Sequence, residues 1–147
     1  MNFKLIVDKS KEEEIVATVH KSYFFLEKVE KLVLQHNGTD KLTAYMEDEI
    51  RMLPISQVEC IAVIEGKTYA ISSDGVKYQL KQRLYELEER LPSFFFRINK
   101  SAIANESRLE KFSATYSGGV NAVFKSGYTE YVSRRCFATI KRRFDTK

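Results

Sequence analysis

A chain of 147 residues that is 44% hydrophobic and 12% aromatic can bury one real core, and that composition excludes a mainly disordered state. No apolar run approaches the roughly 18 residues of a membrane span, and the run from Phe3 to Val7 is too short for a signal peptide, so the chain is expected in the cytoplasm. The net charge of +4 is uneven, with −2 over residues 1–53 and +6 over residues 54–147, and such a basic surplus is the footprint of a surface that meets a polyanion.

In chain order, Phe3 to Val7 reads as a short strand and Ile15 to Val19 as a second, with the acidic Glu12-Glu13-Glu14 just ahead of it. Ser22 can cap a helix in which Phe25, Val29, Leu32, Val33 and His36 recur at helical spacing, and Asn37-Gly38 stops it. This β-β-α unit over residues 1–42 is too small to bury its own apolar face. It must pack on the rest of the chain or on another molecule.

From Leu42 onward the pattern is short strands with frequent turns, the signature of a mainly β domain. Leu42 to Met46 and Ile50 to Leu53 form a hairpin around Glu47-Asp48, ended by Pro54. Val58 to Ile64 reads as a central strand that turns at Glu65-Gly66 into Thr68 to Ser72, and Asp74-Gly75 turns the chain again into Val76 to Gln79. Lys67 then falls at the rim of a tight turn. Leu80, Leu84, Leu87 and Leu91 give one helical face, closed by Pro92. Cys60 and Cys136 form no CxxC and sit in apolar settings, which predicts buried, reduced thiols.

The stretch from Phe94 to Asn105 sets three aromatics, Phe94, Phe95 and Phe96, ahead of Asn99, Lys100 and Ser101. Because an unpaired buried lysine is costly, the three polar residues are expected exposed on a stiff β element, where their donors suit phosphate oxygens or base edges. Glu106 to Thr115 continues in extended form, Ser117-Gly118-Gly119 turns into Val120 to Phe124, and Ser126-Gly127 makes a hairpin to Tyr128 through Val132. Ser133 can cap a final helix carrying Phe137, Ile140 and Phe144. Arg134 and Arg135 lie in its first turn, where a cation opposes the helix dipole by roughly 0.3–1 kcal/mol. An anion held there, such as a DNA phosphate, would reverse that sign.

Glu65-Gly66-Lys67, Asp74-Gly75, Leu84 to Pro92, the Phe94 to Asn105 stretch and Val132-Ser133-Arg134-Arg135 occur in the order and spacing that resemble the LytTR family of bacterial DNA-binding domains, over about residues 43–145. Asn99 departs from the His frequent in that family, and Ala104 from its usual Val. The resemblance implies an elongated, mainly antiparallel β fold with short helices, preceded here by the β-β-α extension. Such a fold lays loops into successive major grooves of duplex DNA at promoter repeats. By position, the DNA-facing residues fall on Lys67 in the first loop, on Asn99, Lys100 and Ser101 with Asn105 in the second, and on Ser133, Arg134 and Arg135 in the third. Lys141 and Arg142, with Arg143, would add phosphate contacts. The resemblance also implies a stand-alone regulator without a receiver domain, residues 1–42 serving regulation or dimerisation, a homodimer, and a small membrane protein that restrains it.

An enzyme has little support. The sequence holds no GxxxxGK[ST], HExxH, GxSxG or zinc-spaced Cys/His set, and His20 and His36 are both in the extension, so no catalytic residue, metal, cofactor or small-molecule substrate is expected. The remaining alternative is an RNA- or protein-interaction module in which the same basic loops act with Phe94 to Phe96 as a stacking platform.

Overall fold

The computed structural model describes residues 2–20, 24–37 and 40–145. Helix α1 (Phe24–Asn37) precedes the hairpin β1 (Lys41–Met46) and β2 (Glu49–Pro54). Strands β3 (Val58–Ile64), β4 (Lys67–Ser72) and β5 (Lys77–Leu80) then lead into α2 (Leu84–Arg90), followed by β6 (Phe95–Asn99) and β7 (Ala102–Asn105). After them come β8 (Leu109–Ala114), β9 (Val120–Phe124), β10 (Thr129–Val132) and α3 (Arg134–Asp145). The strands build a seven-stranded sheet in the order β2-β1-β5-β4-β3-β7-β6 and a three-stranded sheet β10-β9-β8, with every pairing antiparallel.

Three of the reversals share one loop chemistry. Ser72, Thr115 and Phe124 each donate a backbone N–H to the carbonyl four residues on, at 2.9 Å, and each accepts from the N–H of an intervening glycine. Those glycines, Gly75, Gly118 and Gly127, sit at φ 83°, 84° and 95°, the left-handed region where a Cβ is disfavoured. The expected turns at Asp74-Gly75, Ser117-Gly118-Gly119 and Ser126-Gly127 are therefore present, for the reason that predicted them.

The large sheet is buried on both faces along β3, β4, β7 and β6, while β2 at its edge is largely exposed. Ile61, Ala70, Tyr78 and Ile103 point into one core, closed by Leu84 and Leu87 of α2 and by Phe94 and Phe95. Cys60, Ala62, Ile71, Ile98 and Ala104 point into the other, closed by Ala122, Phe124 and Val132 of the small sheet and by Ile140 of α3. A strand buried on both sides has no polar face to show, which is why β3 reads as a continuous apolar run. Glu59 interrupts that run, and it too is fully buried. Its carboxylate accepts from Ser126 Oγ, from Ser126 N at 3.2 Å and from Arg108 Nη2 at 3.4 Å, fastening β3 to the β9–β10 hairpin and to the start of β8. Burial, and next the nearby carboxylates of Glu130 and Glu59, push the Cys60 thiol well above its ordinary range. The Tyr128 phenol is also raised, first by burial and then by the bond it donates to Glu130.

The N-terminal region differs from expectation. Residues 2–20 form no strand, and Phe3, Leu5, Val7, Ile15 and Val16 are exposed. Their main local order is a turn in which Ser10 N and Oγ both donate to Asp8 Oδ1, at 3.0 and 2.6 Å. High β propensity does not make a strand without a neighbour, and an isolated two-stranded hairpin is marginal in water. The expected cap Ser22 and the Gly38 stop of α1 lie outside the described residues. The face of α1 that docks is not the Phe25-Val29-Leu32 stripe either. Leu34 packs on the first core, Glu30 accepts from Ser93 N and Oγ at 2.7 Å each, and Lys31 lies over the Phe94 ring, while Phe25 and Leu32 stay exposed. Smaller corrections are that Leu80 ends β5 and does not begin α2, that a 3-10 turn over Glu106–Arg108 precedes β8, and that Cys136 is half-buried. No helix among the described residues is long and apolar enough to cross a membrane.

Candidate nucleic-acid interface

The first loop is the two-residue turn between β3 and β4. Glu65 and Gly66 occupy it at φ 51° and 78°, and the closing pair is Ile64 with Lys67, which leaves the Lys67 side chain exposed at the rim. The second loop joins β6 to β7. Arg97 holds it from outside, donating from Nε to Glu88 at 2.9 Å and from Nη1 to the Lys100 carbonyl at 2.6 Å, so the backbone under Lys100 is fixed while its ammonium is exposed. The third loop is the start of α3. Ser133 Oγ accepts from Cys136 N at 3.2 Å, the N-cap bond expected of it, and Arg134 and Arg135 follow as the exposed first two helical residues.

Three hydrogen bonds bring these loops to one edge. Val63 N donates to Ser101 O at 2.8 Å, tying the first loop's strand to the second loop. Ser133 N donates to Ile98 O at 2.9 Å and Asn99 Nδ2 to Tyr131 O at 2.6 Å, tying the second loop to the third. On the assembled edge Lys67, Lys100, Arg134 and Arg135 make no ion pair and no side-chain hydrogen bond among the described residues. Neighbouring arginines are committed: Arg97 to Glu88, Arg108 to Glu59 and Arg143 to Glu106. An unpaired cation at the mouth of a helix or turn, with its backbone already fixed, is arranged to receive an anion.

Asn99 and Asn105 are not exposed probes. Asn99 is 7% exposed, and besides the bond to Tyr131 its Oδ1 accepts from Ser101 N at 2.7 Å. Asn105 is fully buried, giving Nδ2 to Val58 O at 2.8 Å and accepting from Ser107 N and Oγ at 3.0 and 2.7 Å. Both amides are spent on holding the backbone, because a polar side chain inside the fold must satisfy itself there. Ser101 is half-buried beside Asn99. Lys141 and Arg142 are exposed on the later turns of α3, but Arg143 is engaged with Ser93 O at 2.9 Å, with Glu106 at 3.2 Å and with the Phe96 ring. Sequence reasoning missed Arg97 and Glu59; a lone carboxylate inside the apolar run of β3 was the available signal for the second. Among the described residues no cluster of His, Cys, Asp and Glu could hold a metal ion.

Loops that present free cations from a braced β edge define a polyanion-binding module. The profile of the LytTr DNA-binding domain matches residues 48–145, two thirds of the chain, and the chain belongs to this family. An uncharacterised HTH-type transcriptional regulator of Staphylococcus aureus strain NCTC 8325 / PS 47 is 37% identical over 118 residues, covering 78% of this chain and 80% of its own length. The corresponding regulator of the bovine strain RF122 / ET3-1 matches at the same identity and coverage. A solved LytTr DNA-binding domain from Bacillus cereus superposes with a TM-score of 0.66 at 21% identity, covering 71% of this chain and 96% of that one, and shares its fold. The relatives' names speak of helix-turn-helix, yet strands separate α1, α2 and α3, and the described residues contain no such motif.

Proposed function

We propose that this protein is a sequence-specific transcriptional regulator of the cytoplasm, a homodimer that reads duplex DNA at promoter repeats by placing β-loops in successive major grooves. The observation that carries the reading is the contrast on one edge between four unpaired cations, Lys67, Lys100, Arg134 and Arg135, and the paired arginines behind them. Lys100 and Arg135 are the base readers, since either can donate to guanine O6 and N7, while Lys141 and Arg142 add phosphate contacts that carry no sequence information. Asn99, Asn105 and Ser133 act by fixing loop geometry. Residues 1–42 modulate this domain without touching DNA, and a small membrane protein restrains the regulator. No small-molecule substrate enters this scheme.

Burial of the aromatics weighs against RNA stacking. Phe94 and Phe95 are 2% and 8% exposed, and Phe96 is half-buried with its ring edge-on to Phe144, so no platform is free for bases. The test is to select bound fragments from random duplex DNA and then compare wild type, Lys100→Ala and Arg135→Ala on the selected and a scrambled duplex at one salt concentration. Each truncation should cost roughly 1–3 kcal/mol on the selected duplex and less on the scrambled one. Equal losses would make both residues phosphate clamps, and no loss on either duplex would remove these loops from the interface.

A further inference from the structure

We propose that the segment before the β domain, residues 2–20 together with the outer face of α1, is the surface on which two copies of this chain join. The inference rests on the homodimer named above and assigns its interface. Phe3, Leu5 and Val7 are 91%, 75% and 82% exposed, and Ile15 and Val16 are 70% and 74% exposed. On α1, Phe25 and Leu32 lie seven residues apart on one stripe, 54% and 64% exposed, while the opposite side of the helix holds to the β domain through Glu30 and Leu34. Together these side chains offer apolar surface on the order of 800 Å², the share each partner contributes to a standard stable interface. So much exposed apolar side chain is large for a surface that meets only water.

Charge selects a second copy as the occupant. Residues 2–11 carry Lys4, Lys9 and Lys11 against Asp8, a net of +2, whereas residues 12–20 carry Glu12, Glu13 and Glu14, a net of −3. The turn held by Asp8 and Ser10 ends the basic arm, just ahead of Glu12. A two-fold axis then brings the basic arm of one copy beside the acidic arm of the other, twice over, a self-complementarity that an isologous contact requires. The arms also have the sequence of strands but no strand partner among the described residues, and pairing across the axis supplies one. The Phe25-Leu32 stripe of each α1 covers the apolar side of the sheet so formed.

The test measures mass by sedimentation equilibrium of the full chain, without DNA, across the micromolar range, for wild type, Leu5→Glu and Leu32→Glu. Both positions are exposed within one chain, so neither charge disturbs the fold of the monomer. Wild type should be a dimer, and each variant should dissociate at least about tenfold more readily, since a charge is buried at the join. Wild type that stays monomeric throughout, as it would if the patch served an unrelated protein, overturns the proposal. A dimer indifferent to both substitutions also overturns it. Binding of the same samples to a short selected duplex separates this outcome from the DNA reading: a monomer that still binds leaves the loops standing and removes only this interface.

Discussion

Replacing Asn99 by Ala distinguishes a residue that touches DNA from one that holds the surface together. The amide makes two short bonds, 2.6 Å to Tyr131 O and 2.7 Å from Ser101 N, in a side chain only 7% exposed. Each is worth about 1 kcal/mol net, and truncation leaves the Tyr131 carbonyl and the Ser101 N–H without these partners beside a buried side chain, so the total loss is about 2–3 kcal/mol. With a urea slope near 2 kcal/mol/M, typical at this size, the unfolding midpoint should fall by about 1–1.5 M. Asn99→Asp should cost at least as much, because it keeps the acceptor for Ser101 but sets a carboxylate against the Tyr131 carbonyl. Both variants should bind the selected duplex less well than wild type under conditions where each remains folded, since the second and third loops lose their mutual register. Unfolding would be followed by circular dichroism and binding by anisotropy on one preparation. An unchanged midpoint with binding abolished would mean that Asn99 meets DNA directly, and the positioning argument would be wrong.

Glu59→Ala should destabilise the fold by about 3 kcal/mol, because it strands Arg108 and Ser126 beside a buried site, and a thermal or urea midpoint within error of wild type would show that water already serves that pocket. Arg142→Ala should lower the slope of log affinity against log salt by about 0.9 and leave sequence preference alone, whereas a change of preference would make Arg142 a base reader. Arg143→Ala should instead lower stability, through the lost contacts to Glu106, Ser93 and Phe96; full stability with weaker DNA binding would reverse that assignment. Cys60 and Tyr128 both have folded-state pKa values raised above their ordinary 9.0 and 10.0, so the unfolded chain loses these protons first and stability falls as pH rises past about 9 and again past 10. Urea midpoints measured against pH check this, and a Cys60→Ala variant that keeps the whole decline beginning near pH 9 would contradict it.

What the sequence revealed and what it hid follow from the range of the interactions involved. The turns at Gly75, Gly118 and Gly127 were legible because a positive φ is demanded within four residues. The interior place of β3 was legible in its apolar run, broken only at Glu59, and the Ser133 cap because its partner is three residues away. Asn99 was misread as exposed because its acceptor is 32 residues away on β10, and nothing near Asn99 announces that crossing. Glu59 gave only the hint of a charge among apolar neighbours, with Ser126 67 residues distant. The N-terminal strands failed for the reverse reason: their local propensity is real, but among the described residues no strand lies beside them. The exposure of Lys67, Lys100, Arg134 and Arg135 was legible because it is the default for such side chains, and the fold added that they share an edge.

The bond from Val63 N to Ser101 O joins the last part of β3 to the second loop, and β3 is itself paired on both sides, with β4 and β7. Hydrogen exchange at an amide reports the smallest opening that exposes it. For Val63 no local opening suffices, since freeing it means parting β3, an interior strand of the larger sheet, from its neighbours. Its exchange should therefore track global unfolding. A loop whose anchor opens only when the whole protein opens does not sample alternative shapes, so if it meets DNA as proposed, recognition should proceed by rigid docking, with the DNA supplying whatever adjustment the fit requires.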